Sequence, residues 1–167
     1  YFKKRIDNLV HKYVELFNLK PTHAVKSCGR LEVIGNHVDY ASGILINASI
    51  ENMSIVGVCS KRDDGVVYIQ SVGYPVIKFG INEIELDKKN DYETSKGLAK
   101  GVFKYFENHG YQKGGFNLVM DSTLPGGVGV SSSAAFSMVV SKTLAMFYNE
   151  DKKIDNLTLA LASQWAE

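Results

Sequence analysis

Apolar positions recur at helical spacing at the start of the chain, where Phe2, Ile6, Leu9, Val10, Tyr13 and Phe17 form one stripe before Pro21 closes the segment. A strand-like run over residues 24–34 follows and ends in a polar cluster, Gly35-Asn36-His37-Val38-Asp39-Tyr40. Gly43 opens a long β-type stretch, rich in Ile and Val, that reaches Ser60, and Asp63-Asp64-Gly65 reads as a hairpin turn. Short strands are expected at 66–71 and 76–79, parted by a turn at 73–75. A charged surface loop at 88–92 precedes a helix from about 94 to 108, with Leu98, Val102, Tyr105 and Phe106 inward and Lys96, Lys100 and Lys104 toward water. Gly114-Gly115 leads into a strand over 116–122, then a glycine-rich loop, then a strongly apolar helix over 131–148. Leu157, Leu161 and Trp165 mark a last helix, with Asp155 or Asn156 as its cap. No internal repeat or low-complexity linker interrupts this order. The mixture is α+β: strands come first, and helices are expected on one side of a sheet.

Length and composition narrow the picture. The 167 residues fit one domain, and a hydrophobic fraction of 45% is ample for a core. Nineteen basic residues stand against 18 acidic ones, which gives no reason to expect nucleic acid or an anionic membrane as partner. An anionic ligand must then be held by a local site. Cys28 and Cys59 sit in apolar strand-like surroundings and are expected to be buried free thiols. No apolar run approaches the roughly 18 residues of a membrane span, no signal peptide pattern is visible, and a cytoplasmic location is expected. The chain starts at Tyr1, and no Gly, Asn or Pro follows Glu167 to stop the last helix, so it reads as a piece cut from a longer protein.

The most informative stretch is Leu124-Pro125-Gly126-Gly127-Val128-Gly129-Val130-Ser131-Ser132-Ser133. Its glycines let the backbone turn tightly and bring N–H groups close to a ligand. The serines then start a helix, whose first turn carries unsatisfied donors and the positive end of the helix dipole. Together these make a phosphate cradle. Rival motifs fail: there is no Walker loop, Ser132 stands where a third dinucleotide-binding glycine would be, and Ser133 where a nucleophile elbow ends in glycine. The ordinary alternative is a Gly-rich turn with serine as helix cap.

A second constellation spans Gly29-Arg30-Leu31-Glu32-Val33-Ile34-Gly35-Asn36-His37-Val38-Asp39-Tyr40. Alternation puts Arg30 and Glu32 on one strand face. Amide, imidazole and carboxylate crowd the loop behind them, and each can pair a hydroxyl of a polyhydroxylated ligand. An arginine nearby can stabilise charge on a transferring phosphoryl group. Each residue also has an ordinary role open to it: Asp39 in a turn, His37 on the surface, Arg30 in an ion pair. His37 and Asp39 lack the further spaced ligands of a metal site.

Taken together, the two motifs resemble those of the GHMP kinases and, within them, the galactokinase family, whose first signature begins with Gly-Arg and continues through Gly, Glu or Asn, His, Thr, Asp. The likeness runs from about Ser27 onward, and it is the pair of motifs that is specific. The resemblance implies an α+β domain of the ribosomal protein S5 domain 2-like type, a mixed and largely antiparallel sheet with helices on one side. It implies that residues 1–167 are the N-terminal GHMP domain, without the C-terminal domain. It also implies ATP-dependent phosphorylation of galactose at the C1 hydroxyl, with Mg2+. Arg30 would aid phosphoryl transfer, and Asn36, His37 and Asp39 would bind sugar hydroxyls. Pro125, Gly126, Gly127, Val128, Gly129, Val130, Ser131, Ser132 and Ser133 would hold the triphosphate. Ser133 and Glu167 would hold magnesium.

Asn36 replaces the commoner glutamate and Val38 the usual threonine. The family's catalytic aspartate lies beyond Glu167, so this piece alone is expected to be inactive, its partners being sugar, ATP and the missing C-terminal half. Two rivals stand beside galactose phosphorylation: another GHMP kinase, such as an N-acetylgalactosamine kinase, and a non-catalytic sugar and ATP sensor on the same fold.

Overall fold

The computed structural model describes residues 2–35 and 43–167. In chain order these contain helix α1 (Phe2–Phe17), strands β1 (His23–Ile34), β2 (Ile46–Arg62), β3 (Val66–Ser71) and β4 (Ile77–Gly80), helix α2 (Ser95–Asn108), strand β5 (Gly115–Ser122), helix α3 (Ser132–Tyr148), a 3₁₀ turn (Glu150–Lys152) and helix α4 (Asn156–Ala166). The strands form one sheet in the order β1-β2-β5-β3-β4. Its neighbours are antiparallel except β3 and β5, which run parallel. This is the mixed, largely antiparallel sheet with a helical layer that the resemblance to the GHMP kinases implies.

The strand order corrects the expected hairpin. Asp63-Asp64-Gly65 does turn the chain, with Gly65 at φ 69°, and Asp64 braces the turn by accepting from Val66 N–H at 3.1 Å and from Arg62 Nε at 2.9 Å. The flanking strands do not pair with each other. β5 enters between them, so that Arg62 faces Gly115 on one side while Val67 faces Phe116 on the other. Gly115 fits there because it has no side chain: a Cβ would lie 2.6 Å from the Val66 carbonyl oxygen.

Alternation along the strands divides the apolar residues between two faces. Ile55, Cys59, Leu118 and Met120 join Phe103, Phe106, Phe136, Val140 and Leu144 in the larger cluster, under α2, α3 and α4. Val56, Val58 and Val119 face the other way and meet Leu9 and Tyr13 of α1. Cys59 is fully buried, and burial pushes its thiol up to about 12, so it stays protonated and packs as a small apolar group. Cys28 is half-buried, and both thiols are free.

The α1 stripe falls where the periodicity puts it, with one charged exception. Arg5 is only 7% exposed. It forms an ion pair with Asp121 at the end of β5 and donates to the Ser54 hydroxyl and carbonyl at 3.1 and 3.0 Å. Removing one partner of a buried pair leaves an uncompensated charge and costs about 3–5 kcal/mol. Asp121 keeps 29% of its side-chain surface in contact with solvent, so Arg5→Met is expected at the low end, about 3 kcal/mol. Urea denaturation should show this loss, and the Arg5→Met/Asp121→Leu double variant should recover most of it. A single variant as stable as the parent would make the pair decorative.

The lysine row on α2 is a second correction. Lys96 and Lys104 keep partial exposure, but Lys100 is buried, donating to Asp91 Oδ2 at 2.6 Å and to the Glu85 carbonyl at 3.1 Å. Asp91, assigned above to a surface loop, is itself buried, and the Lys100 ammonium holds its carboxyl below the usual carboxylate range. Thr94 caps α2, accepting from Gly97 N–H at 3.0 Å and donating to the Asp91 carbonyl at 2.7 Å. The loop ahead of α2 is therefore pinned to the helix from both ends of its charge pattern.

On α4 the stripe of Leu157, Leu161 and Trp165 faces outward, while Leu159, Ala162 and Ser163 are the buried set. Asp155 is the cap, accepting from Thr158 N–H at 2.8 Å. No helix among the described residues is long and apolar enough to cross a membrane.

Candidate functional site

The glycine-serine loop joins the end of β5 to the start of α3, and both of its ends are fixed. At the β5 end, Thr123 N–H donates to the Ser54 carbonyl at 3.1 Å, while Ser54 N–H donates to the Thr123 hydroxyl at 3.0 Å. Leu124 is then buried in the larger core cluster. At the far end α3 is buried along much of its length and anchored at its C-terminus. There Tyr148 donates to the Gly115 carbonyl at 2.6 Å, and the Asn149 side chain pairs with both backbone groups of Gln112 at 2.8 Å.

Between these anchors residues 125–129 are exposed. Gly127 and Gly129 adopt φ of 73° and 76°, the left-handed region that side chains disfavour. A Cβ on Gly126, Gly127 or Gly129 would meet nothing within 4 Å. The loop is thus a rigidly mounted turn with an open side. Ser131, also left-handed at φ 57°, makes no side-chain cap bond, although its carbonyl accepts from Ala135 N–H at 3.0 Å. The ordinary alternative of a serine cap is therefore not what is observed. The first-turn amides of α3 carry no side-chain cap, as a helix end that receives an anion requires.

Ser133, on the first turn of α3, donates its hydroxyl to the Glu167 carboxylate at 2.5 Å. Glu167 reaches it because α4 crosses close to α2. Gly101 makes that crossing possible, since a Cβ there would lie 3.0 Å from Ala166 Cα. Trp165 and Tyr105 add a ring contact at 6.2 Å. A glycine inside a helix is a sequence signal for such a close approach, and Gly101 went unread as a support of the site. A hydroxyl beside a carboxylate is a pair of hard oxygen donors, the type magnesium takes when phosphates supply further ligands. Among the described residues no group of three or more His, Cys, Asp and Glu could hold a metal by itself.

Arg30 is exposed on β1, and its backbone N–H donates to the Val130 carbonyl of the loop at 3.1 Å. The strand that opens the second motif thus touches the loop of the first. Asn36, His37 and Asp39 lie outside the described residues. Two surface grooves elsewhere, one along Lys26, Lys142 and Ile154 and one along Phe2, Glu51 and Asn52, include none of the site candidates among the described residues.

Comparison with known proteins agrees with this arrangement. A model described as the galactokinase galactose-binding signature matches residues 11–61, and one for the GHMP kinases N-terminal domain matches residues 97–167. A galactokinase of Staphylococcus carnosus is 30% identical over 148 residues, covering 86% of this chain and 37% of the relative. A galactokinase of Clostridium tetani is 28% identical over 163 residues, covering 97% and 40%. The crystal structure of Lactococcus lactis galactokinase complexed with galactose superposes with a TM-score of 0.84 at 28% identity, over 96% of this chain and 41% of that one. The chain therefore spans 37–40% of the length of these curated relatives.

Proposed function

Since the chain belongs to the galactokinase family of GHMP kinases, we propose that it supplies the triphosphate site and part of the sugar site of an enzyme that phosphorylates galactose at its C1 hydroxyl with ATP. One observation carries this reading: the Arg30 N–H to Val130 carbonyl bond of 3.1 Å joins the strand of the sugar motif to the glycine-serine loop. Donor and acceptor sites for phosphoryl transfer must be neighbours, because the reaction depends on alignment more than on covalent help from the protein.

In this reading residues 125–133 hold the triphosphate with backbone amides of the loop and of the first turn of α3. Arg30 carries positive charge to the transferring phosphoryl group. Asn36, His37 and Asp39 bind sugar hydroxyls and set which hydroxyl faces the phosphate. Ser133 and Glu167 would hold the magnesium ion, which when bound neutralises phosphate charge. The alignment of the acceptor hydroxyl is completed by the part of the protein that follows this domain.

The test is a sugar panel with the full-length protein and Mg-ATP, the product's phosphorylated carbon being read by NMR. Galactose turnover with phosphate on C1 is expected. Preference for N-acetylgalactosamine would reassign the substrate. Binding of both ligands without turnover would make the protein a sensor.

A further inference from the structure

Gly29 opens the Gly-Arg pair of the sugar motif, yet its backbone does not need glycine. Positive φ occurs at Gly35, Gly65, Gly73, Gly110, Gly127 and Gly129 but not at Gly29. Space is the requirement instead. A Cβ at Gly29 would lie 2.3 Å from Leu124 Cδ2 and 2.9 Å from the Val130 carbonyl oxygen. The leucine tip can rotate away. The carbonyl cannot move without moving the loop backbone. That same carbonyl accepts the hydrogen bond from Arg30 N–H.

β1 is an edge strand, and its pairing with β2 shifts register between Cys28 and Gly29. Such irregularities re-aim a strand's backbone. Here the outer edge at Arg30 meets the loop rather than another strand.

We propose that Gly29 is a positioning residue for the nucleotide. Its missing side chain lets the Val130 carbonyl latch onto Arg30 N–H, and the latch sets the direction in which the loop delivers Ser131, Ser132 and Ser133 to the phosphates. The proposal rests on the reading of residues 125–133 as the ATP loop. It gives the glycine of the sugar motif a role on the nucleotide side, and it makes β1 the mechanical link between the two sites.

Gly29→Ala in the full-length protein tests it by calorimetry. Displacing the loop by a few tenths of an ångström takes its amides off good hydrogen-bond geometry to the phosphates and is expected to weaken Mg-ATP binding by about tenfold. Galactose affinity should stay within about twofold. A merely structural defect would lower both affinities and the unliganded melting temperature together, and that result would overturn the proposal. So would unchanged ATP affinity.

Adding Leu124→Ala removes the side-chain clash but leaves the carbonyl clash, so ATP binding should stay weak. Recovery in the double variant would assign the effect to leucine packing and reject the latch. If Gly29→Ala does not fold, amide hydrogen exchange on the unaltered protein decides. Arg30 N–H should exchange slowly for an edge strand and more slowly with Mg-ATP bound. Exchange at the rate of an open edge, unchanged by ATP, would reject the latch. Gly127→Val separates the two levels. If it binds ATP normally, the loop assignment itself fails. If it loses ATP while Gly29→Ala does not, only the latch fails.

Discussion

Replacing Gly127 with valine is expected to weaken ATP binding by at least about a hundredfold, which corresponds to about 2.7 kcal/mol. Two physical effects add. Gly127 sits at φ 73°, where a β-branched residue is strained by roughly 1–3 kcal/mol. The loop can relieve that strain only by leaving its present conformation, because residues 125–129 are exposed and nothing within 4 Å of a Gly127 Cβ would hold it in place. The same openness leaves the added groups in the free space beside the loop, which a phosphate would occupy if residues 125–133 form the ATP loop proposed above. Stability should change little, since Leu124 and the α3 core lie outside the affected turn. Gly126→Ala is the control: its φ is not positive and its surroundings are equally open, so it should keep most of the affinity. Calorimetric titration with Mg-ATP, beside thermal melts of both variants, checks the outcome. Normal binding by the Gly127 variant would remove the loop from the nucleotide site.

Glu167→Gln should lower kcat of the full-length protein by about 10²–10³-fold while leaving the galactose KM near its original value. The amide is nearly the size of the carboxylate and can still accept the Ser133 hydroxyl through its oxygen, so the hydrogen bond seen at 2.5 Å survives in kind. What disappears is a negative charge at a hard-oxygen donor pair. The readout that distinguishes a metal ligand from a helix-end support is the dependence of rate on free magnesium. The variant should need several times more magnesium to reach half of its own maximum. An unchanged magnesium dependence would leave Glu167 as a cap of α4 and nothing more.

Local chemistry was legible in the sequence, and long-range pairing was not. The α1 stripe, the Thr94 and Asp155 boundaries, and strand β3 at 66–71 follow from periodicity and capping residues, which act within a few positions. Arg5 reads as one more surface charge on a lysine-rich turn because its partner, Asp121, lies 116 positions away. Lys100 looks like its neighbours Lys96 and Lys104, and only the fold brings Asp91 beneath it. The hairpin at Asp63-Asp64-Gly65 fails for the same reason: the turn residues are right, but β5 from the far side of α2 claims the edge on each side. At the site, the glycines and serines announced a loop and a helix start. The meeting of Ser133 with Glu167 and of Val130 with Arg30 depends on helix crossing and strand register, which no local pattern encodes.

The central place of β5 has a consequence for how the chain is made. On a ribosome the strands on either side of it emerge first. β1 can zip onto β2, and β4 onto β3, as soon as each is synthesised, because those partners are close in sequence. Until β5 is made, the edges that it joins, residues 55–62 of β2 and 67–71 of β3, have no partner strand. At about 5–20 residues per second, making residues 63–114 takes roughly 3–10 s. Throughout that window Ile55 lacks Phe116, Leu118, Met120 and the α3 residues of its cluster, while Val56 and Val58 already have Leu9 and Tyr13 of α1 and lack only Val119. The segment made meanwhile carries Glu83, Glu85, Asp87, Lys88, Lys89, Asp91 and Glu93. Charges oppose edge-to-edge association of unpaired strands, and these same side chains later form the loop ahead of α2. The strand that leads into the glycine-serine loop is therefore also the one that closes both open edges of the sheet, and a ribosomal pause before residue 115 would leave them open for longer.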